Sequence, residues 1–226
     1  MTTYPQNMML SYEAQGAPAR RDLLPVESNG SIAVSFGHRI LLFARRAPRG
    51  WFVMQSGEEM ISKAKVINFI DEYKRVVILS DDPMSAFFEF ASQMVWVEAA
   101  GGVVEAPDGD VVVIRRGERW DLPKGHREQN EDFDVCAARE AEEETGVRVR
   151  NVGTMLATTL HAYNLYGQWE LKLTVWYHMF AHEKTELVPQ SEEGITGAEW
   201  VASNRIMERI KDSFPTIKKV FSAFFK

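Results

Sequence analysis

The chain reads as α/β (α+β), with a small α/β domain over residues 31–94 ahead of a larger α/β domain over 95–226. Three observations carry this. Short alternating runs are separated by Gly, Pro, Asn and Asp turns, as in half-buried strands. A single strongly acidic helical stretch lies between strand-like runs, and further helical runs close the chain. The composition shifts around residues 95–99, where a second unit begins.

Residues 1–30 are rich in Gly, Pro, Ser, Asn and Gln without sustained periodicity, and are expected to form a flexible tail. Strands are predicted at 31–36 and 39–44, joined at Gly37-His38, with a helix at 58–73 and a buried strand at 75–79. Ser80-Asp81-Asp82-Pro83 supplies a turn and a helix start, and a helix with an aromatic face (Phe87, Phe88, Phe90) follows over 84–94. In the second domain, strands at 103–106 and 110–115 flank the turn Pro107-Asp108-Gly109. A helix follows from Asp132 to about Thr145, then strands at 151–161, 168–181 and 197–201, and helices at 204–211 and 215–224.

Hydrophobic residues make up 45% and charged residues 26% of the 226, which excludes wholesale disorder. No run reaches the roughly 18 apolar residues of a membrane span, and no basic stretch followed by an apolar one marks a leader at the N-terminus. One cysteine, Cys136, can form neither an internal disulfide nor a multi-cysteine metal site. A reduced, cytoplasmic setting is expected. The net charge of -6 is local: residues 127–144 hold eight acids against Arg127 and Arg139. Such a window is either a solvated acidic helix face or a site for hard divalent cations, which take oxygen ligands.

Spacing decides between them. Glu140, Glu143 and Glu144 stand at i, i+3 and i+4, so three carboxylates share one helix face and repel one another unless a cation resolves it. Beside them runs a face of small residues, Cys136, Ala137 and Ala141, suited to close packing. The wider pattern is more specific. Gly125, Glu131 and then Arg139-Glu140-Ala141-Glu142-Glu143-Glu144-Thr145-Gly146-Val147 match, position for position, the signature of the Nudix hydrolases, which this chain resembles from about residue 95 to 224.

That resemblance implies an αβα sandwich around a mixed sheet, with the signature forming a loop–helix–loop. It implies that Glu140, Glu143 and Glu144 bind Mg²⁺ or Mn²⁺, helped by a backbone carbonyl beside Gly125. Arg139 and Glu131 resemble the family's orienting pair, and Gly146 ends the helix. The expected reaction is attack of water on phosphorus with cleavage of a pyrophosphate bond, a glutamate taking the proton. Glu143 is one candidate base. Glu192 and Glu193, on the loop after the long strands, are the others.

The signature does not name the substrate. Trp120-Asp121-Leu122-Pro123-Lys124-Gly125-His126 is similar to the tract that opens the box in diadenosine polyphosphate hydrolases, although Asn130-Glu131 replaces the usual Gly-Glu. Diadenosine tetraphosphate is therefore the expected substrate, with ADP-ribose or a nucleotide sugar as the alternative. Lys124, Lys172 and Arg116 are candidate phosphate contacts, with Arg115 and Arg119 nearby. Tyr163 and Tyr166 are candidate base-stacking residues, whereas Trp120 and Trp176 suit the core. His126 and His161 read as loop or surface residues and Cys136 as a buried small one. A different class, a nucleotide-sensing or RNA-binding regulator, draws support from six arginines against two acids between residues 20 and 49. The intact glutamates favour the enzyme. A homodimer is a further expectation.

Overall fold

The computed structural model describes residues 20–55 and 61–226. The first half holds strands β1 (Ile32–Phe36), β2 (Arg39–Ala44) and β3 (Phe52–Gln55), helix α1 (Lys63–Tyr73), strand β4 (Arg75–Leu79) and helix α2 (Pro83–Ala91). Then come β5 (Val95–Glu105), β6 (Asp110–Arg116), β7 (Arg119–Asp121), β8 (Lys124–His126) and α3 (Phe133–Thr145). Two long strands follow, β9 (Val149–Leu165) and β10 (Gln168–Ala181), then β11 (Ile195–Ala202), α4 (Ile206–Arg209) and α5 (Pro215–Phe224).

Two compact units divide the chain, and the division is not the simple cut expected at residue 95. The first comprises the described residues of Met1–Val97 together with Leu160–Leu173. The second comprises Glu98–Thr159 and Thr174–Lys226. The outer ends of β9 and β10 thus belong with the N-terminal elements, because Leu160, Ala162, Leu171 and Leu173 are buried in the same core as Ile32, Phe43, Phe87 and Phe90.

In the first unit β1 and β2 form a two-residue hairpin closing at Phe36 and Arg39, with Gly37 at φ 64° in the turn. β2, β4 and β3 run parallel, so β3, α1 and β4 make a crossover unit. The strand β3 is absent from the sequence reading because Phe52, Val53 and Met54 are consecutive apolar residues with no alternation, although Pro48, Gly50, Ser56 and Gly57 frame the run. The helix expected from residue 58 starts at Lys63, where the Ser62 hydroxyl accepts the Lys65 amide; residues 58–60 lie outside those described. α2 starts as expected, with Pro83 in the first turn and the Asp82 carboxylate accepting the Ser85 amide at 3.1 Å. It ends at Ala91 rather than 94, because Ser92–Met94 form a turn into β5. Of the expected tail, residues 1–19 lie outside those described, and Arg21–Leu23 form a short 3-10 turn.

In the second unit the strand order is β11-β6-β5-β10-β9, with β7 on β6 and β8 on β5. Val111 to Ile114 of β6 are all fully buried, so both faces of this strand are covered. One face is covered by Ile206, Ile210, Ile217, Val220 and Phe221 of the C-terminal helices and their connection. The helix expected at 204–211 is shorter, a 3-10 turn at Ser203–Arg205 followed by α4. β5 starts well before the expected 103, running through Gly101-Gly102. Those glycines are required by close approach: a Cβ on Gly102 would fall 1.9 Å from the Tyr177 carbonyl oxygen, and one on Gly101 2.1 Å from that of Pro123.

Candidate active site

Helix α3 forms where the small-residue face predicted it. Phe133, Cys136, Ala137 and Ala141 are buried, and the helix stops at Gly146, whose left-handed φ of 71° lets its amide close on the Glu142 carbonyl. Following the same face onward, Glu140 and Glu144 are also buried. Glu143, one position off, has a side chain 50% exposed. Two of the three carboxylates have therefore been carried into the interior by the apolar spacing of their neighbours.

Glu140 lies against β8. A Cβ on Gly125 would fall 1.9 Å from its Oε2, so only glycine lets this carboxylate rest on the backbone. Arg139 organises the rest. Its Nε and Nη2 donate to the two oxygens of Glu131 at 2.8 and 2.9 Å, and Nη2 also donates to the His126 carbonyl at 3.0 Å. Nη1 donates to Glu140 at 2.7 Å and to Glu143 at 3.0 Å. Glu131 also accepts the Glu128 amide. Bonding to Arg139, against a smaller opposing effect of burial, holds the Glu131 carboxyl at about 2, well below its ordinary value. The same pairing raises Arg139.

Glu144 has a side chain with no exposure. Arg116 Nη2 donates to its Oε1 at 2.5 Å and the Lys124 amide to its Oε2 at 3.0 Å. Burial pushes its carboxyl up to about 7, with the charges of Lys124 and Arg116 pulling the other way. Burial likewise raises Glu140, and the bond to Arg139 opposes it. Arg116 also donates Nη1 to the Glu193 carbonyl at 3.2 Å, and its Nη2 stands 3.8 Å from the Glu193 carboxylate. Glu192 accepts only the Ser191 hydroxyl among the described contacts.

These oxygens are of the kind that could hold a hard divalent cation. Two desolvated carboxylates lie on one helix face, and Glu140 rests on a backbone that Gly125 keeps bare, an oxygen-rich setting of the kind Mg²⁺ or Mn²⁺ takes. Among the described residues, no three His, Cys, Asp or Glu side chains converge as a finished metal cluster; each glutamate of the trio bonds an arginine instead.

The structure brings Gly125, Glu131, Arg139, Glu140, Glu143, Glu144, Lys124, Arg116 and Glu193 together in the second unit. Lys124 contributes its amide to Glu144, while its ammonium lies 3.4 Å from Asp121. Tyr163 and Lys172 belong to the first unit: the tyrosine hydroxyl donates to Glu170 at 2.5 Å and the Lys172 ammonium lies 5.0 Å above its ring. Tyr166 is 88% exposed at the β9–β10 turn. Trp176 is core, its indole N–H on Thr159, and Trp120 lies under Arg209 and Arg115. Arg119 stacks on Phe214. The His161 ring accepts the Gly37 amide at 3.3 Å, a bond that sequence spacing could not show. Cys136 is buried, and burial pushes its thiol up to about 12, which suits packing and not nucleophilic chemistry. The sequence reading missed Arg127 and Glu98, paired at 2.6 Å, with Arg127 Nη1 also on the Glu131 carbonyl. The signal was available: Arg127 is one of two bases in the acidic window.

Residues 96–224 match the family model described as NUDIX domain. The chain belongs to the Nudix family and is a pyrophosphohydrolase acting on acid anhydrides of phosphorus; hydrolases of this family generally use divalent metal ions. Solved structures similar to it include the MutT protein of Methanosarcina mazei Go1, with 18% identity, 59% of this chain and 95% of that one covered, and a TM-score of 0.45. Another is a C. elegans Ap4A hydrolase in a binary complex, at 17% identity, coverage of 57% and 95%, and a TM-score of 0.42. A third is the NUDIX domain of Shewanella oneidensis NrtR in complex with ADP ribose, at 15% identity, coverage of 58% and 87%, and a TM-score of 0.46. No helix among the described residues is long and apolar enough to cross a membrane.

Proposed function

We propose that the chain hydrolyses a pyrophosphate bond in a dinucleoside polyphosphate such as diadenosine tetraphosphate, with Mg²⁺ or Mn²⁺ held by Glu140, Glu143 and Glu144 beside the Gly125 carbonyl. The observation that carries the reading is the pair of buried carboxylates, Glu140 and Glu144, whose charge the fold leaves incompletely balanced. A bound divalent cation supplies charge neutralisation at the phosphate oxygens and acidifies water.

The chain's own residues do the rest. Arg139, locked on Glu131, fixes the rotamers of Glu140 and Glu143. Lys124 brings a positive point charge for the polyphosphate chain, and Arg116 a second one. Water attacks phosphorus, the oxygen–phosphorus bond forms as the anhydride bond breaks, and a carboxylate takes the water's proton. Glu143 and Glu193, each about half exposed, are the two candidates for that proton. Glu193 is the base if its Gln variant loses kcat without losing cation affinity; if that variant keeps kcat, the base is Glu143, which also holds the cation. The substrate choice draws on the Trp120–His126 tract.

A phosphate-release screen with Mg²⁺ and with Mn²⁺ tests this, comparing diadenosine tetraphosphate, ADP-ribose, UDP-glucose and nucleoside triphosphates against a Glu144→Gln blank. Preference for diadenosine tetraphosphate is expected. Preference for ADP-ribose or UDP-glucose keeps the chemistry and replaces the substrate. Tight nucleotide binding with no turnover of any of them contradicts the proposal and supports a sensor.

A further inference from the structure

We propose that Arg116 and a divalent cation compete for Glu144, so that a cation on this carboxylate frees the Arg116 guanidinium together with the Ser191–Glu193 turn. The inference rests on reading Glu140 and Glu144 as cation ligands.

A fully buried carboxylate needs a compensating charge. Among the described residues, Arg116 is the one cation within ion-pair distance of Glu144. The second hydrogen-bond partner is the Lys124 amide; the Lys124 ammonium, 3.4 Å from Asp121, also pulls the Glu144 carboxyl down by its charge but makes no ion pair with it. A divalent cation on Glu144 makes that compensation redundant, and two positive charges on one carboxylate repel. Arg116 has somewhere to go, since its side chain is 36% exposed. Its Nε has no hydrogen-bond partner, so two residues, Glu144 and Glu193, account for the guanidinium's hydrogen bonds.

The second of those contacts gives the exchange a consequence. Arg116 Nη1 on the Glu193 carbonyl ties the Ser191–Glu193 turn to the same guanidinium that neutralises Glu144. The tie is reinforced along the backbone, where Arg116 pairs with Ile195, the first residue of β11, at a register shift. Arg116 is therefore a positioning residue for Glu193. Paired with Glu144 it holds the turn in; once released, the turn and its carboxylate are free to adjust to substrate, and the guanidinium is free to face the phosphates.

The test uses the full chain and Mn²⁺ alone. Calorimetric titration compares wild type with Arg116→Gln and Arg116→Lys, and hydrogen exchange follows the peptide spanning residues 186–196. Removing a competitor for Glu144 is expected to tighten Mn²⁺ binding about 10-fold in Arg116→Gln. The wild-type turn is expected to exchange faster when Mn²⁺ is added, and the Arg116→Gln turn to exchange fast with or without it. Arg116→Lys, which keeps the charge but cannot span both contacts, is expected to free the turn while changing Mn²⁺ affinity less than about threefold. It carries the test should the Gln variant not fold. Unchanged or weaker Mn²⁺ binding in Arg116→Gln, or a wild-type turn indifferent to Mn²⁺, overturns the proposal. A folded wild type that binds no Mn²⁺ at all overturns instead the reading on which it rests.

Discussion

Glu131 and Glu144 each meet an arginine through short hydrogen bonds, yet their carboxyls are held at about 2 and about 7. Glu131 receives two arms of Arg139 and a backbone amide, and stays partly open to solvent. Glu144 receives one arm of Arg116 and one amide, with no exposure at all. The number of donors wins in the first place and desolvation wins in the second. Glu131 is a permanent anion that anchors Arg139. Glu144 is a carboxylate whose charge the fold only partly supports, and that shortage is what a cation relieves.

The comparison is broken most severely at Arg139. Replacing it by Ala strands Glu131 and Glu140 without their partner, and a loss of about 3 to 5 kcal/mol in urea-denaturation stability is expected. Glu144→Gln breaks the other side differently. It removes a buried charge without changing shape, so the fold is expected to persist while hydrolysis falls about 100- to 1,000-fold, read by phosphate release.

The pH dependence of the metal-free chain sharpens the contrast. A carboxyl raised from 4.5 to about 7 binds its proton more tightly when folded, so its contribution is present below about pH 4.5 and lost as pH rises towards 7. For Glu144 that loss is about 3 kcal/mol. Glu131 has the opposite sign: its contribution is present above pH 4.5 and lost as pH falls towards 2. Thermal melts in EDTA are expected to show Glu144→Gln lacking the loss between pH 5 and 7, and Glu131→Gln lacking the acid-side loss. A smaller effect is expected from Gly125→Ala, which pushes on the Glu140 carboxylate and is expected to weaken Mn²⁺ binding about 10-fold with a smaller fall in Tm than Arg139→Ala.

Much of this was legible from spacing. The bounds of β2, β4, β10 and α5 coincide with periodic runs, and α3 with its glycine stop follows from one residue every three or four being small. The shared helix face of the glutamates was legible too. Their unequal burial had a signal as well, since Glu140 and Glu144 continue the Cys136–Ala137–Ala141 stripe and Glu143 does not, but grouping all three on one face passed over it. Spacing could not show that Arg116 meets Glu144, a contact 28 residues apart between the end of β6 and helix α3. The Gly101-Gly102 pair misled in the other direction, since glycines that permit close approach look the same in sequence as glycines that end a strand. The grouping of residues 160–173 with the N-terminal elements likewise rests on Leu160 and Leu171 finding a distant core.

The most direct test of the account is Mn²⁺ titration at pH 7.5 of wild type, Glu144→Gln and Glu131→Gln. The account predicts binding by wild type, none measurable by Glu144→Gln, and binding weakened about 10- to 100-fold in Glu131→Gln, where only the orientation of the glutamates is lost. Glu144→Gln binding Mn²⁺ as tightly as wild type would contradict it.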